Sequence, residues 1–91
     1  MIVKCKPKEL KALMKGDKSK IAPNLVDTVE EILSILDTGT CMDDFDLPGK
    51  RLHPYKEFTP KKWSLDVSGN VRILFTFENK EVVITDYGDP H

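Results

Sequence analysis

The chain has 91 residues and nearly balanced charges, with 14 lysines and arginines against 15 aspartates and glutamates. That length provides one domain with a modest hydrophobic core, so any activity must be built from a few side chains on one surface. Its apolar runs are shorter than a membrane span, and its first residues lack the pattern of a secretion signal, which together predict a cytoplasmic protein.

The first half of the chain has the pattern of a strand followed by two helices. Residues 1–6 alternate weakly and include β-branched side chains, which favours a first strand. Pro7 is suited to the start of a helix and Gly16 to its end. A second helix is predicted between Pro23 and Gly39, with the wide apolar stripe that a small domain needs to cover a sheet.

The second half has the pattern of a long loop followed by a β-meander. Residues 38–60 have little periodicity and contain three prolines, so we interpret them as a structured loop. Residues 63–67 and 71–77 show alternating apolar side chains on either side of a Ser-Gly-Asn turn, and residues 82–86 follow a second turn. The predicted fold class is α+β, with two N-terminal helices packed on a mostly antiparallel sheet, which consists of the N-terminal strand and a C-terminal three-stranded meander.

Arg72 has an informative position on the second strand of this meander. Because side chains alternate across a strand, Arg72 should project from the face opposite Val71 and Ile73, which is the face that the helices leave open. An open sheet face that carries a guanidinium group is a natural floor for a binding site.

The charges are distributed unevenly along the chain. Residues 1–20 carry seven lysines against two acidic residues, and residues 21–46 carry seven acidic residues and no basic one. Residues 47–72 are basic again, with six lysines and arginines against two acidic residues, and residues 73–91 have one lysine against four acidic residues. Two basic segments can converge on a polyanion. For the N-terminal lysines, a solvated mixed-charge surface is the alternative.

The chain has two histidines, His53 within a basic stretch and His91 at the final position. Imidazole titrates near neutral pH, and proton donors beside fixed positive charge suit phosphate chemistry. Metal-free RNA cleavage, for example, needs a ribose hydroxyl deprotonated, the phosphate stabilised and the leaving oxygen protonated. Cys5 and Cys41 are interpreted as reduced thiols, and a metal site that joins them to the histidines is set aside because the spacings are too long.

Three segments carry a resemblance to a known family. They are the run from Leu47 to Pro54, the hairpin from Trp63 to Ile73 and the tail from Asp86 to His91. In order and length they resemble the HigB toxins, also called plasmid maintenance killer proteins, of the RelE/ParE superfamily. The resemblance extends from about Ile21 to His91. It implies a RelE-like fold with a curved sheet and a ribosome-dependent messenger-RNA endonuclease that needs no cofactor.

The resemblance also implies partners and site residues. The partners are the 70S ribosome with its messenger RNA and a HigA-like helix-turn-helix antitoxin. The toxin is expected to associate with operator DNA only through this antitoxin. The residues that match the catalytic positions are His53, Lys56, Arg72, Asp89 and His91. The residues expected to bind substrate are Lys50, Arg51, Lys61, Lys62 and Tyr87.

The roles of these residues follow from their chemistry. His91 is the candidate general acid or base, and Asp89 is the candidate group that orients it. Arg72 would stabilise charge on the phosphate, because its fork geometry matches two oxygens. His53 and Lys56 would either exchange protons or hold the RNA backbone. Two less specific interpretations stay open, in which His53 caps a turn and Tyr87 is a half-buried strand aromatic.

Three positions depart from the family pattern. Pro90 stands where tyrosine is usual, Val71 replaces a usual tryptophan, and Asp66 stands where a basic residue is common. Tyr87 is near enough in sequence to supply the missing aromatic surface, and Asp66 is expected to affect substrate affinity more than the fold. Two alternative functions remain. One is a non-catalytic toxin that binds a protein target such as DNA gyrase, as other members of the wider superfamily do. The other, to which Pro90 and Asp66 point, is an inactive ribosome-binding or RNA-binding relative.

Overall fold

The computed structural model describes residues 1–89, which form an α+β fold with two α-helices and a five-stranded sheet. The α+β class predicted from the sequence is therefore confirmed. The elements in chain order are β1 Ile2–Cys5, α1 Lys8–Met14, α2 Val26–Thr38, β2 His53–Tyr55, β3 Lys62–Asp66, β4 Arg72–Glu78 and β5 Glu81–Gly88. Neither helix in this part of the chain is both long and apolar enough to cross a membrane.

The sheet is mixed and has the order β1-β5-β4-β3-β2. β1 pairs with β5 in parallel, whereas the pairs β5-β4, β4-β3 and β3-β2 are antiparallel. Asn79 and Lys80 form the tight turn between β4 and β5 with φ angles of 53° and 65°, the left-handed conformation that two-residue hairpin turns require. A register shift after Leu74 lies in the same strand pair, close to Arg72.

Sequence signals at the helix ends act as expected. Pro7 directly precedes α1, and Gly16, with a φ of 95°, follows it while its amide donates to the carbonyl of Leu13. A short 3-10 turn over Pro23–Leu25 leads into α2, and Gly39 follows the last residue of that helix. A Cβ at Gly39 would collide with the ring of Phe45, so only glycine permits this close packing.

One hydrophobic cluster joins both helices to one face of the sheet. Its sheet side includes Leu65, Ile73, Phe75, Val82 and Ile84, each with no exposed surface. Its helical side consists of Leu10 and Leu13 from α1 and Val26, Val29, Ile32, Leu33 and Leu36 from α2. Because the helices cover one face, the alternate residues of the central strands point to the opposite face.

The prediction of one long loop over residues 38–60 is wrong in two places. Met42–Phe45 is a 3-10 turn that inserts Phe45 into the core, with its ring 5.6 Å from that of Phe75 and 5.0 Å from that of Phe77. His53–Tyr55 is a strand at the edge of the sheet. The sequence does not predict this strand, because proline lacks an amide donor and is rare within sheets. At the edge of a sheet the missing donor is tolerated, and Pro54 lies in an edge strand.

Candidate active site on the open face of the sheet

The face of the sheet away from the helices carries a polar cluster, whose residues come from four strands. The register places Tyr55 opposite Lys62, His53 opposite Ser64, Asp66 opposite Arg72, and Leu74 opposite Asp86. Arg72 lies on this face and Ile73 in the core, as alternation along β4 predicts. Residues that are far apart in sequence are therefore assembled by strand pairing alone.

A cleft of about 500 Å³ runs along this face. Arg72 and Lys62 supply positive charge to its walls, Tyr55 and Phe58 supply aromatic rings, and three carboxylates also line it, those of Glu57, Asp86 and Asp89. Its remaining lining residues are Leu74, Tyr87 and Gly88. Aromatic rings next to cationic side chains are typical of sites that hold single-stranded nucleic acid, whereas the carboxylates of the lining oppose a phosphate.

Arg72 is held in a defined orientation at the edge of this cleft. Its Nη1 donates a hydrogen bond of 2.9 Å to the hydroxyl oxygen of Tyr55, and its Nε lies 3.3 Å from Oδ1 of Asp66. The Tyr55 hydrogen bond, together with the negative charges of Asp66 and Asp89, raises the pKa of Arg72 above its ordinary value. The guanidinium is therefore a permanent cation, and about a third of the side chain (31%) stays exposed to the cleft.

The carboxylate of Asp66 is nearly buried and contacts two arginines. Its Oδ2 accepts a 2.8 Å hydrogen bond from Nε of Arg51, in addition to the Arg72 contact at Oδ1. A second, smaller cavity of about 240 Å³ adjoins this group and is also bordered by His53 and Ser64. Within residues 1–89, the buried Oγ of Ser64 and Nε of Arg72 have no well-aligned hydrogen-bond partner.

Tyr55 contacts both His53 and Arg72. Its hydroxyl accepts from Arg72, and its ring lies 5.4 Å from the ring of His53 in an edge-to-face arrangement. His53 itself is exposed and borders the smaller cavity, next to Arg72. Through Tyr55 the structure therefore brings together the imidazole and the guanidinium that the sequence predicted as site residues.

Lys62 and Phe58 form the other side of the cleft. The Nζ of Lys62 lies 4.3 Å from the centre of the Phe58 ring and donates a 3.1 Å hydrogen bond to Oδ2 of Asp86. Partial burial raises the pKa of Asp86, but the hydrogen bonds from Thr85 and Lys62, together with the positive charges of Lys62 and Lys6, outweigh it and hold the pKa below its ordinary value. The Phe58 ring lies 6.5 Å from that of Tyr55 at an interplanar angle of 30°, so it offers a flat surface next to a cation.

Comparison with known proteins identifies the family of the chain. Residues 4–91 match the family described as the RelE-like toxin of type II toxin-antitoxin system HigB. The chain belongs to the HigB-like toxin family. It is also 36% identical over 92 residues to Endoribonuclease HigB of Proteus vulgaris, with the whole of both chains covered.

The other basic residues expected in this HigB-like toxin lie outside the lining of the cleft. Lys50 and Arg51 border a shallow depression beside the turn between β3 and β4. Lys61 packs its Nζ 4.4 Å above the ring of Trp63, and Lys56 is exposed in the segment that follows β2. Of the expected substrate-binding lysines, Lys62 is the one that lines the cleft itself.

The C-terminal residues of the toxin are described as far as Asp89. Asp89 lines the cleft and is near enough to Arg72 to influence its pKa. Tyr87 pairs with Ile73 and packs against the core, although it also borders the cleft, and its burial together with the negative charge of Glu9 raises its pKa. His91, expected as a catalytic residue, lies outside the described residues, as does Pro90.

Sequence reasoning missed two residues of the site, Tyr55 and Phe58. A signal for both was present, because each is an aromatic residue within a stretch of lysines, arginine and histidine, the pattern of a surface that stacks RNA bases. Within residues 1–89, no group of three side chains that bind metals clusters together.

Proposed function

We propose that this HigB-like toxin is an endoribonuclease that cuts messenger RNA on the 70S ribosome during translation. The observation that carries the proposal is the guanidinium of Arg72, held by Tyr55 at the rim of a cleft that is also lined by Phe58 and Lys62. The name of the Proteus vulgaris relative, an endoribonuclease, supports RNA as the substrate. Action on ribosomes would place the toxin in the cytoplasm.

The chemistry that this site suits is attack of a ribose 2′-hydroxyl on the neighbouring phosphate. The phosphate gains negative charge as the bond forms, and an oriented guanidinium that donates to two oxygens stabilises that charge. Because Arg72 already donates to Tyr55 through Nη1, its orientation is set before RNA arrives. An orientation fixed in advance lowers the cost of reorganisation during the reaction.

The proton transfers are proposed for the histidines. His53 lies beside Tyr55 and borders the same cavity as Arg72, where an imidazole can exchange a proton with the reacting oxygens or hold the RNA backbone. His91 is the second proposed acid or base, with Asp89 orienting it and Lys56 holding the backbone. Replacing His91 by Gln, or extending the chain beyond it, is expected to abolish cleavage without unfolding the domain, and full activity of either variant would reject this role.

The rest of the cleft is proposed to hold the nucleotides that flank the cut. The exposed ring of Phe58 offers a stacking surface for a base, which is worth about 1–3 kcal/mol in single-stranded RNA complexes. Lys62, next to that ring, would attract the adjacent phosphate, although its ion pair with Asp86 must loosen for a direct contact. Lys50, Arg51 and Lys61 would add weaker attraction to the ribosome-bound message.

The family membership implies an antitoxin partner, and we propose that this partner is a HigA-like protein with a helix-turn-helix domain. It would neutralise the toxin and carry it to operator DNA, which the toxin itself would not contact. A short reading frame with a helix-turn-helix pattern immediately downstream of the toxin gene is the expected finding.

The decisive experiment is cleavage of one message in a reconstituted translation system. We expect cuts within the reading frame when the message is translated, and none when initiation is blocked. Equal cleavage of translated and untranslated RNA would refute ribosome dependence. Growth arrest with intact messages and a DNA-damage response would instead favour the inhibitor of a protein target.

A further inference from the structure

We infer that Asp66 is a positioning residue that holds Arg51 and Arg72 as the two arms of one phosphate-binding clamp. The inference that the clamp binds RNA phosphate rests on the proposed function, whereas the clamp itself is inferred from contacts within the chain. The chain has two arginines, and both contact this one carboxylate. The acidic side chain at position 66 therefore holds the two guanidinium groups in place, in addition to lowering the net positive charge of this surface.

Strand pairing builds the first arm. Asp66 is the last residue of β3 and lies directly opposite Arg72, the first residue of β4, with both side chains on the open face. Asp66 is 9% exposed, so its carboxylate is fixed by its surroundings, and its Oδ1 lies 3.3 Å from Nε of Arg72. With Tyr55 accepting from Nη1, the guanidinium is held from two directions.

The second arm comes from the loop that precedes β2. Nε of Arg51 donates to Oδ2 of Asp66 at 2.8 Å, and the amide of Asp66 donates to the carbonyl of Lys50 at 2.6 Å. Arg51 has a φ of 47°, an unfavourable backbone conformation for a residue with a side chain, which these two contacts help to maintain. The Arg51 side chain remains 70% exposed, so a polyanion can reach it.

The way in which Asp66 contacts both arginines leaves them able to bind phosphate. Asp66 lies against Nε in each pair, as the hydrogen-bond acceptor of Arg51 and as the ion-pair partner of Arg72, so neither contact uses the terminal nitrogens. These nitrogens carry further N–H groups that can donate to phosphate oxygens, although Nη1 of Arg72 also donates to Tyr55. The carboxylate also opposes an incoming phosphate by charge repulsion. Asp66 should therefore weaken RNA binding and increase the turnover of bound RNA, two effects that can be measured separately.

The test compares Asp66→Asn with Glu31→Gln, which changes the net charge equally at an exposed position of α2 on the other side of the molecule from the cleft. For Asp66→Asn we expect kcat on translating ribosomes to fall about tenfold while KM stays the same or decreases, because misplaced groups slow the reaction. Glu31→Gln should leave both constants unchanged. Asp66→Glu, which restores the charge on a longer side chain, should recover part of kcat.

A second measurement does not depend on activity. In a ¹⁵N spectrum of the arginine side chains, the wild type should give two Nε–H signals, and Asp66→Asn should shift both and speed their exchange with water. Unchanged signals, or an unchanged kcat, would overturn the inference, and so would a fall in kcat that the loss of folded protein explains. If the wild type does not cleave RNA, the proposed function fails, and the Nε–H signals still decide whether Asp66 holds the arginines.

Discussion

Replacing Tyr55 by Phe removes one hydroxyl group from the candidate active site and leaves the aromatic ring in place. The hydroxyl oxygen accepts the 2.9 Å hydrogen bond from Nη1 of Arg72, so the variant releases one of the two contacts that orient the guanidinium. The edge-to-face contact with His53 and the near-parallel contact with Phe58 should persist, because both involve the ring. Any change in activity then reports on the orientation of Arg72.

The expected size of this effect follows from the exposure of the site. A hydrogen bond to a charged group contributes about 1.5–3 kcal/mol, and we reduce this to about 1 kcal/mol because the Arg72 side chain is 31% exposed. A loss of about 1 kcal/mol from the transition state lowers kcat roughly fivefold. Tyr55→Ala, which also removes the ring, should lower kcat further and raise KM.

The assay is the rate of cleavage of a translated message at saturating ribosome concentration, with the melting temperature of each variant measured in parallel. A kcat for Tyr55→Phe equal to that of the wild type would refute the orienting role of the hydroxyl. Equal losses for Tyr55→Phe and Tyr55→Ala would show that the ring contributes nothing to RNA binding.

Two further predictions concern stability. Gly39→Ala should lower the free energy of unfolding by about 1–3 kcal/mol in urea, because the added methyl group collides with the buried ring of Phe45, whereas Gly69→Ala, with open space around it, should have little effect. Acid should also destabilise the toxin: the folded-state pKa of Asp86 is below its ordinary value, so its stabilising contribution is complete above the unfolded-state pKa and is lost as the pH falls through the folded-state pKa. Asp86→Asn should therefore lose less stability than the wild type when urea titrations are repeated from about pH 5 down into the acid range, and an equal loss would contradict the contribution of this carboxylate.

The elements that were predicted well are those with strong local signals. Pro7, Gly16 and Gly39 mark helix ends, and the alternation around the 68–70 turn gives the hairpin. The strand at His53–Tyr55 was missed because a three-residue edge strand with a central proline has no pattern of its own and forms only by pairing with β3. Phe45 was missed because its burial depends on contacts with Phe75 and Phe77.

The candidate site was predictable where alternation alone decides the outcome. Arg72 could be assigned to the uncovered face because side chains alternate between the two faces of a sheet along a strand. The contact between Tyr55 and Arg72 could not be predicted, because it spans 17 positions and depends on the missed strand. Asp66 was interpreted as a loss of positive charge from the surface, since its position opposite Arg72 and its hydrogen bond to Arg51 appear only when the register is known.

The most direct test of the RNA-cleaving cleft is the single-turnover cleavage rate of a ribosome-bound message by Arg72→Ala and Arg72→Lys. We expect Arg72→Ala to be slower by about 10²–10³-fold at an unchanged melting temperature, because the group that stabilises the developing charge is gone. Arg72→Lys should be intermediate, because it keeps the charge and loses the fork. A rate for Arg72→Ala close to that of the wild type would contradict the account.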